Sequence, residues 1–530
     1  MPPVPLPFPV SALPGRRPGE GQGDLINVYA RKVGDLIRWQ RVPGTMRYTQ
    51  GNGTRTYLPP ASPAPAKPIL AGPRGQIAIV DTLLSVWGDK VVRTLPDGTE
   101  TILGGQVLTG VGPVTMAHNM RMPIPDVVLC DNGSVYLVNL TTMTVDPYPD
   151  ADITIANSVD YHSGYFVCSR TDGTIYASDL QTTAVNALSF AKAEAVPDRL
   201  LRMYSSAPVL LACGVESIEL LQDVGSSPFP FQRVTVLPVG LLGTWAIAGG
   251  TKTWDRPLCF VAHDSTVRQL QGSDPVIIST DDIVRDIEIE ARAGRAEQLF
   301  AQAYTSGESA FWSLSSPGWT WEYNLSTAGW HRRRSYQPGT ESPYDAAPWR
   351  AVWSVHYRNK WVAQDALDGA LIEITSTALS EPEILKARPH PGEYEPAYLV
   401  YQTPLIARCE SGPMKAQPAN IRMPAIYLDF TVGFNVDGVE EPSVMLSWSH
   451  DGGATWASPV QRHLGGEGEF RTLVTLRSTG RSSHQGIRVR WECVDPIPLA
   501  FHGAIAPQPV VSRPRQVGVV VTGGGLGSGG

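Results

Sequence analysis

The stretch Val127-Val128-Leu129-Cys130-Asp131-Asn132-Gly133-Ser134-Val135-Tyr136-Leu137-Val138 reads as a β-hairpin. An apolar run enters Asp-Asn-Gly, and an alternating strand leaves it. Asn-Gly supplies the positive φ values that a tight hairpin turn requires. The unit returns as Tyr165-Phe166-Val167-Cys168, Thr171-Asp172-Gly173 and Ile175-Tyr176-Ala177-Ser178. Looser copies follow. Leu210–Cys213 turns near Glu216 into Ile218-Glu219-Leu220, and Leu258–Val261 turns at Asp264-Ser265 into Val267–Leu270. Phe311–Leu314 turns at Pro317-Gly318 into Trp319-Thr320-Trp321, and Trp361–Ala363 turns at Asp368-Gly369 into Leu371–Ile374. An opening copy is read in Ile77–Val80 with Ser85-Val86-Trp87.

The turns at residues 133, 173, 216, 265, 318 and 369 are 40, 43, 49, 53 and 51 residues apart. One hairpin per ~40–50 residues is the signature of propeller blades. Cys130, Cys168, Cys213 and Cys259 recur at the same place in four successive copies, which argues for the repeat and against a catalytic thiol. The competing reading is a sandwich of unrelated hairpins. The expected fold is all-β: a β-propeller of six or seven blades, with an N-terminal arm and a C-terminal β-sandwich-like domain.

Composition sets the outer limits. Gly 51 and Pro 46 make up about 18% of the 530 residues, with Val, Thr, Tyr and Trp common, a mixture of short strands and turns. Residues 1–65, ending in Pro59-Pro60-Ala61-Ser62-Pro63-Ala64-Pro65, read as an extended Pro/Gly-rich arm and not as a domain. The propeller is expected over 66–395. A C-terminal β domain is expected over 396–512, from runs such as Ala425–Phe430 and Ile487–Trp491, and a flexible Gly-rich tail over 513–530.

A net charge of −7 is opposite to that of a dedicated nucleic-acid binder, so any contact with DNA is expected to be weak and unspecific. The six cysteines form no CxxC pair and read as buried hydrophobes in a reducing compartment. Met1–Val10 lacks the pattern of a signal peptide. The apolar stretch Val236–Ala248 is too short and too broken by Gly and Pro to cross a bilayer, so no membrane insertion is expected.

Ser449-His450-Asp451-Gly452-Gly453-Ala454-Thr455-Trp456 fits the Asp-box pattern S-x-D-x-G-x-T-W of many β-propellers, sialidases among them. Ser449, Asp451, Gly453 and Trp456 are its candidate structural residues. The carboxylate satisfies turn amides, Gly permits the backbone, and Trp packs beneath the turn. A glycoside-hydrolysing or glycan-binding propeller is the alternative function. It needs converging carboxylates, or a Tyr/Glu pair with an arginine cluster. Asp281-Asp282, Glu288, Glu290 and Glu440-Glu441 have no spacing that singles out such a pair. Without HExxH, GxSxG or P-loop patterns, no catalytic residue, cofactor or metal is expected. Arg332, Arg333 and Arg334, after Trp330-His331, are candidates for contact with DNA phosphate or an acidic neighbouring subunit; the plainer reading is a solvated strand end.

Several segments together resemble the packaged-DNA stabilisation proteins of short-tailed phages, also called tail accessory factors. They are Gly19–Ala30 (GEGQGDLINVYA), Tyr165–Val167 with Ser178–Leu180 and Leu188–Glu194, Val196-Pro197-Asp198 leading to Pro228–Val234, Ile277–Thr280 before Asp282–Glu290, and Thr320–Leu325 with Gly329–Arg333. The resemblance spans about residues 15–375 and rests on order and spacing. Val215-Glu216-Ser217-Ile218 departs from the family pattern: it lacks the aromatic expected there, and its neighbouring turn is degenerate. The resemblance implies a non-enzymatic virion protein, assembled in the host cytoplasm into a homo-oligomeric ring, a hexamer. It also implies partners: the portal and head-to-tail adaptor above, tail fibre, spike or needle proteins outside and below, and viral DNA passing without sequence specificity. An acidic lumen would let DNA slide.

Overall fold

Each hairpin with a turn at 133, 173, 216, 265, 318 or 369 is the middle of a four-stranded antiparallel blade. The computed structural model describes residues 3–49, 72–336, 347–387 and 398–512, except 151, 154, 194–197, 255, 368, 402, 417–418, 434–435 and 437. Blade 1 is Pro73–Ile79, Thr82–Trp87, Lys90–Thr94 and Glu100–Ile102. Blade 2 is Thr115–His118, Val127–Asp131, Ser134–Asn139 and Thr144–Pro147, edged by Gly104–Gly105. Blade 3 is Ser158–His162, Tyr165–Ser169, Thr174–Ser178 and Val185–Lys192. Blade 4 is Leu200–Ser206, Val209–Gly214, Ile218–Asp223 and Phe231–Leu237, regular in spite of its degenerate turn sequence. Blade 5 is Ile247–Ala248, Cys259–Val261, Val267–Gln271 and Asp274–Ile277. Blade 6 is Phe300–Ser306, Ser309–Ser315, Thr320–Asn324 and Gly329–Arg333.

Blade 7 takes Ala351–Tyr357, Lys360–Asp365 and Leu371–Thr375, and its fourth strand is Gly44–Arg47, from before blade 1. Seven blades therefore stand among the described residues. Gln364 seals the ring between blades 7 and 1: its Oε1 accepts from Gly75 N–H at 3.2 Å and its Nε2 donates to Val86 O at 3.0 Å. The opening copy read at Ile77–Trp87 is one strand out of step, because the equivalent hairpin is Thr82–Trp87 with Lys90–Thr94. Cys259 is likewise out of phase: it pairs Gln269, two steps inside the closing pair Val261/Val267, whereas Cys213 pairs Ile218 at the turn.

Apolar side chains alternate from face to face along each blade and meet those of the neighbours. Ile79, Leu84 and Val86 join Val127, Leu129 and Val138 between blades 1 and 2, and Leu83, Trp87 and Val92 join Tyr357, Val362 and Leu371 between blades 1 and 7. Burial drives the Cys130 thiol up to about 12, and all six cysteines are buried and free. A helix, Asp281–Arg292, links blades 5 and 6 and buries Ile283 and Ile287 one turn apart. Among the described residues no helix is long and apolar enough to cross a membrane.

The C-terminal β-sandwich has a sheet of Gly23–Ile26, Ala407–Ser411, Arg488–Cys493, Ser443–Ser449 and Val460–His463. Its second sheet is Val28–Val33, Leu36–Arg41, Ala500–Ala506, Ala425–Phe430 and Val474–Arg477. Phe8, Trp39, Phe430, Trp491 and Phe501 interlock between them, with Phe8–Phe501 centroids 4.8 Å apart.

Here the structure departs from the expected arm. Residues 3–49 supply strands to blade 7 and to both sandwich sheets. Gly23–Ile26 is buried throughout because it lies between two strands, antiparallel to Ala407–Ser411 and parallel to Gly329–Arg333. Leu25, Ile26, Val28 and Tyr29 pack within their own chain. The boundary expected at 395/396 falls inside a pairing of Ile384–Ala387 with Tyr398–Tyr401. Residues 50–65 and the Gly-rich tail lie outside the described residues.

Candidate functional site

Three places hold the side chains of interest: the Asp-box corner, the arginine triplet and the axis of the propeller. The Asp box is the corner leaving Ser443–Ser449. Asp451 accepts from Ser449 Oγ at 2.8 Å, Thr455 N–H at 2.9 Å and Thr455 Oγ1 at 2.7 Å. Ser449 Oγ in turn accepts from Gly453 N–H at 2.8 Å, with Gly453 at φ 104°. Burial alone would raise the Asp451 pKa, but the Thr455 and Ser449 hydrogen bonds outweigh it and bring it down to about 2. The half-buried Trp456 carries the Arg490 guanidinium 4.2 Å above its ring.

The corner holds the N-terminal segment. Gly19 N–H donates to Gly452 O at 2.7 Å, and a Cβ on Gly452 would lie 2.4 Å from Gly19 N. Arg488 also donates to Glu20 O. Eight residues on, the buried Asn27, at φ 53°, turns the chain from one sandwich sheet to the other. Its Nδ2 donates to Ile406 O at 2.9 Å and Arg334 O at 3.0 Å, and its Oδ1 accepts from Arg334 N–H at 2.9 Å. On sequence alone GDLINVYA falls in an extended arm and carries no sign of this crossover.

The arginine triplet divides. Arg333 is fully buried, 4.0 Å above the Trp349 ring, and its Nη2 donates to Pro43 O at 3.0 Å beside the strand that closes blade 7. Its partner is Glu322, whose carboxylate also accepts from His331 and Tyr304, each at 2.8 Å. Burial would raise the Glu322 pKa, yet Arg333 and these donors hold it below its ordinary value. Burial keeps the His331 imidazole below its own. Arg332 Nε donates to Asp24 Oδ1 at 3.1 Å, tying blade 6 to Gly23–Ile26. Arg333 thus offers nothing to DNA or a neighbouring surface: it is a core ion pair, a correction forced by the inward register of its strand. The register could have been read from Glu322, which lies opposite His331.

The inner strands of all seven blades line an axial cavity of about 700 Å3. Its polar side chains include His118, Asp160, His162, Arg202, Lys252 and His356. Among the described residues lining it, Asp160 is the one carboxylate and Arg202 the one arginine. Burial raises the Asp160 pKa, against donation from Ser205 N–H at 2.8 Å and Tyr161 N–H at 2.7 Å. One carboxylate held by backbone amides does not make the converging pair that glycoside hydrolysis needs. Among the described residues no group of three His, Cys, Asp or Glu side chains could hold a metal.

No curated protein matches the chain. Among solved structures it is similar to the computationally designed Ika8 protein, at 12% identity and TM-score 0.35, covering 70% of this chain and 98% of that one. It is also similar to the WD40 β-propeller domain of Doa1, at 11% identity and TM-score 0.33, covering 57% of this chain and 92% of that one. With U3-55K it shares 6% identity at TM-score 0.36, covering 57% of this chain and 95% of that one. Family models match both modules. One described as bacteriophage P22 Gp10, beta-propeller, covers residues 74–379, and one described as bacteriophage P22 Gp10, beta-sandwich, covers residues 409–506. The chain belongs to the bacteriophage P22 Gp10 family, the packaged-DNA stabilisation and tail proteins of short-tailed phages.

Proposed function

We propose that this protein is a non-enzymatic subunit of a short phage tail, assembled in the host cytoplasm as a ring of copies beneath the portal and its adaptor. The ring extends the DNA channel and retains packaged DNA. It offers its outer and distal surfaces to tail fibre, spike or needle proteins. The observation that carries this reading is the match of both modules, in order, to one family of tail proteins. The joint between them suits a load-bearing part: Gly23–Ile26 splices blade 6 to the sandwich as one nine-stranded sheet. A channel under pressure gains from a subunit whose halves cannot hinge apart. A chain of net charge −7 also leaves passing phosphate unbound.

The test is electron microscopy of particles carrying a tagged copy of the chain. Label below the portal, repeated around the tail axis, is the expected result. Label confined to the head shell or absent from particles contradicts the reading.

A further inference from the structure

The sandwich carries opposite charges at its two ends. At the Asp-box end, four loops touch. Gly19 meets Gly452, Ser483 N–H donates to His450 O at 2.7 Å, and Arg422 bridges Arg481. This end bears Arg16, Arg17, Lys415, Arg422, Arg477 and Arg481, all exposed, with Glu20 as an exposed carboxylate among them. Among the described residues Arg16, Arg17, Arg422 and Arg481 enter no ion pair.

Strands Ser443–Ser449 and Val474–Arg477 both run to this end from the other. Seven residues of strand put the ends roughly 20 Å apart. The far end bears the exposed Glu440, Glu441, Glu467 and Glu469, in loops that meet where Gly466 approaches Glu440 O. Beside them stand Phe470 and Leu473, 72% and 61% exposed. Arg471 is the exposed arginine within this group.

We propose that these two ends bind each other between copies: the basic Asp-box end of one chain docks on the acidic, Phe470-bearing end of the next. This rests on the ring reading above and names the surface that makes the ring. The occupant is a second copy because complementary charge sits on the same domain, and because the acidic end presents apolar side chains within a charged rim, as protein interfaces do. Such a contact is head-to-tail, so it closes into a ring when the rotation between copies allows.

The test uses the purified full-length chain in sedimentation equilibrium at low and high ionic strength. The wild type is expected to self-associate, more weakly as salt rises. E440K/E441K and R422E/R481E should each weaken association by about tenfold or more. Mixed in equal amounts, the two variants should associate again, since each then carries the end the other has lost. A wild type that stays monomeric at low salt would overturn the proposal. So would either variant associating like wild type, or a mixture that stays dissociated. If R422E/R481E lost retention on duplex DNA while associating normally, the basic end would be a DNA contact and not a copy contact. Failure of the tail function is a separate result: a chain that associates as proposed but is absent from particles leaves this interface standing and removes its proposed role.

Discussion

Thr45 stands opposite Ile374 in antiparallel register, so the seventh blade is closed by a strand drawn from before the first. Closure joins chain ends far apart in sequence and makes the ring one cooperative unit. Thr45→Pro removes the N–H that donates to Ser380 O at 3.1 Å in a buried position. It should lower stability by at least about 1 kcal/mol. The urea midpoint should fall, and amide exchange should speed up first at Met46 and Glu373, which stand opposite each other in the closing pair. An unchanged midpoint would mean that Gly44–Arg47 does not hold the ring.

Asp451→Ala should destabilise the sandwich by about 1–3 kcal/mol, because it strips three donors from one carboxylate. The pH dependence is specific. With its pKa brought down to about 2, the folded carboxylate stabilises fully above the ordinary carboxylate range, and that contribution fades as pH falls toward 2. Wild type and variant should therefore converge in acid. A variant as stable as wild type at neutral pH would contradict the structural role of the box.

Arg333→Leu should be far more damaging, at about 3–5 kcal/mol, since it leaves Glu322 ionised and uncompensated in the core. Adding Glu322→Gln should restore part of the loss, which a thermal melt of the double variant checks. Arg16→Ala, exposed and outside any ion pair among the described residues, should stay within about 0.5 kcal/mol of wild type.

Sialosides and other glycans should pass the wild-type protein unhydrolysed, given that Asp160 is the one carboxylate among the described residues lining the axial cavity. Turnover abolished by Asp160→Asn would restore the glycosidase alternative.

Local chemistry was legible in the sequence and long-range pairing was not. Asn132-Gly133 and Asp172-Gly173 mark their own turns, so the middle hairpins of blades 2 and 3 could be read from the sequence. The blade count stayed open because the closing strand Gly44–Arg47 lies in a Pro/Gly-rich segment and acquires its meaning only beside Leu371–Thr375. The inner strand of blade 5 is two residues, Ile247–Ala248, too short for any periodicity. Arg333 looked like surface because charge is usually solvated. Its burial follows from a partner, Glu322, that only strand register brings alongside. The Asp box was legible as a corner, while its grip on Gly19 joins residues at opposite ends of the chain and leaves no local trace.

The central claim is that this chain completes a DNA-retaining tail. Its most direct test is a phage in which the gene is deleted, with packaged DNA measured in isolated heads immediately after packaging and again hours later. Deleting residues 1–60 is no substitute, because residues 3–49 belong to the propeller and the sandwich. Heads should fill normally and then lose their DNA, with retention restored by supplying the wild-type chain during assembly. Particles that lack the protein yet keep their DNA and infect would contradict the account.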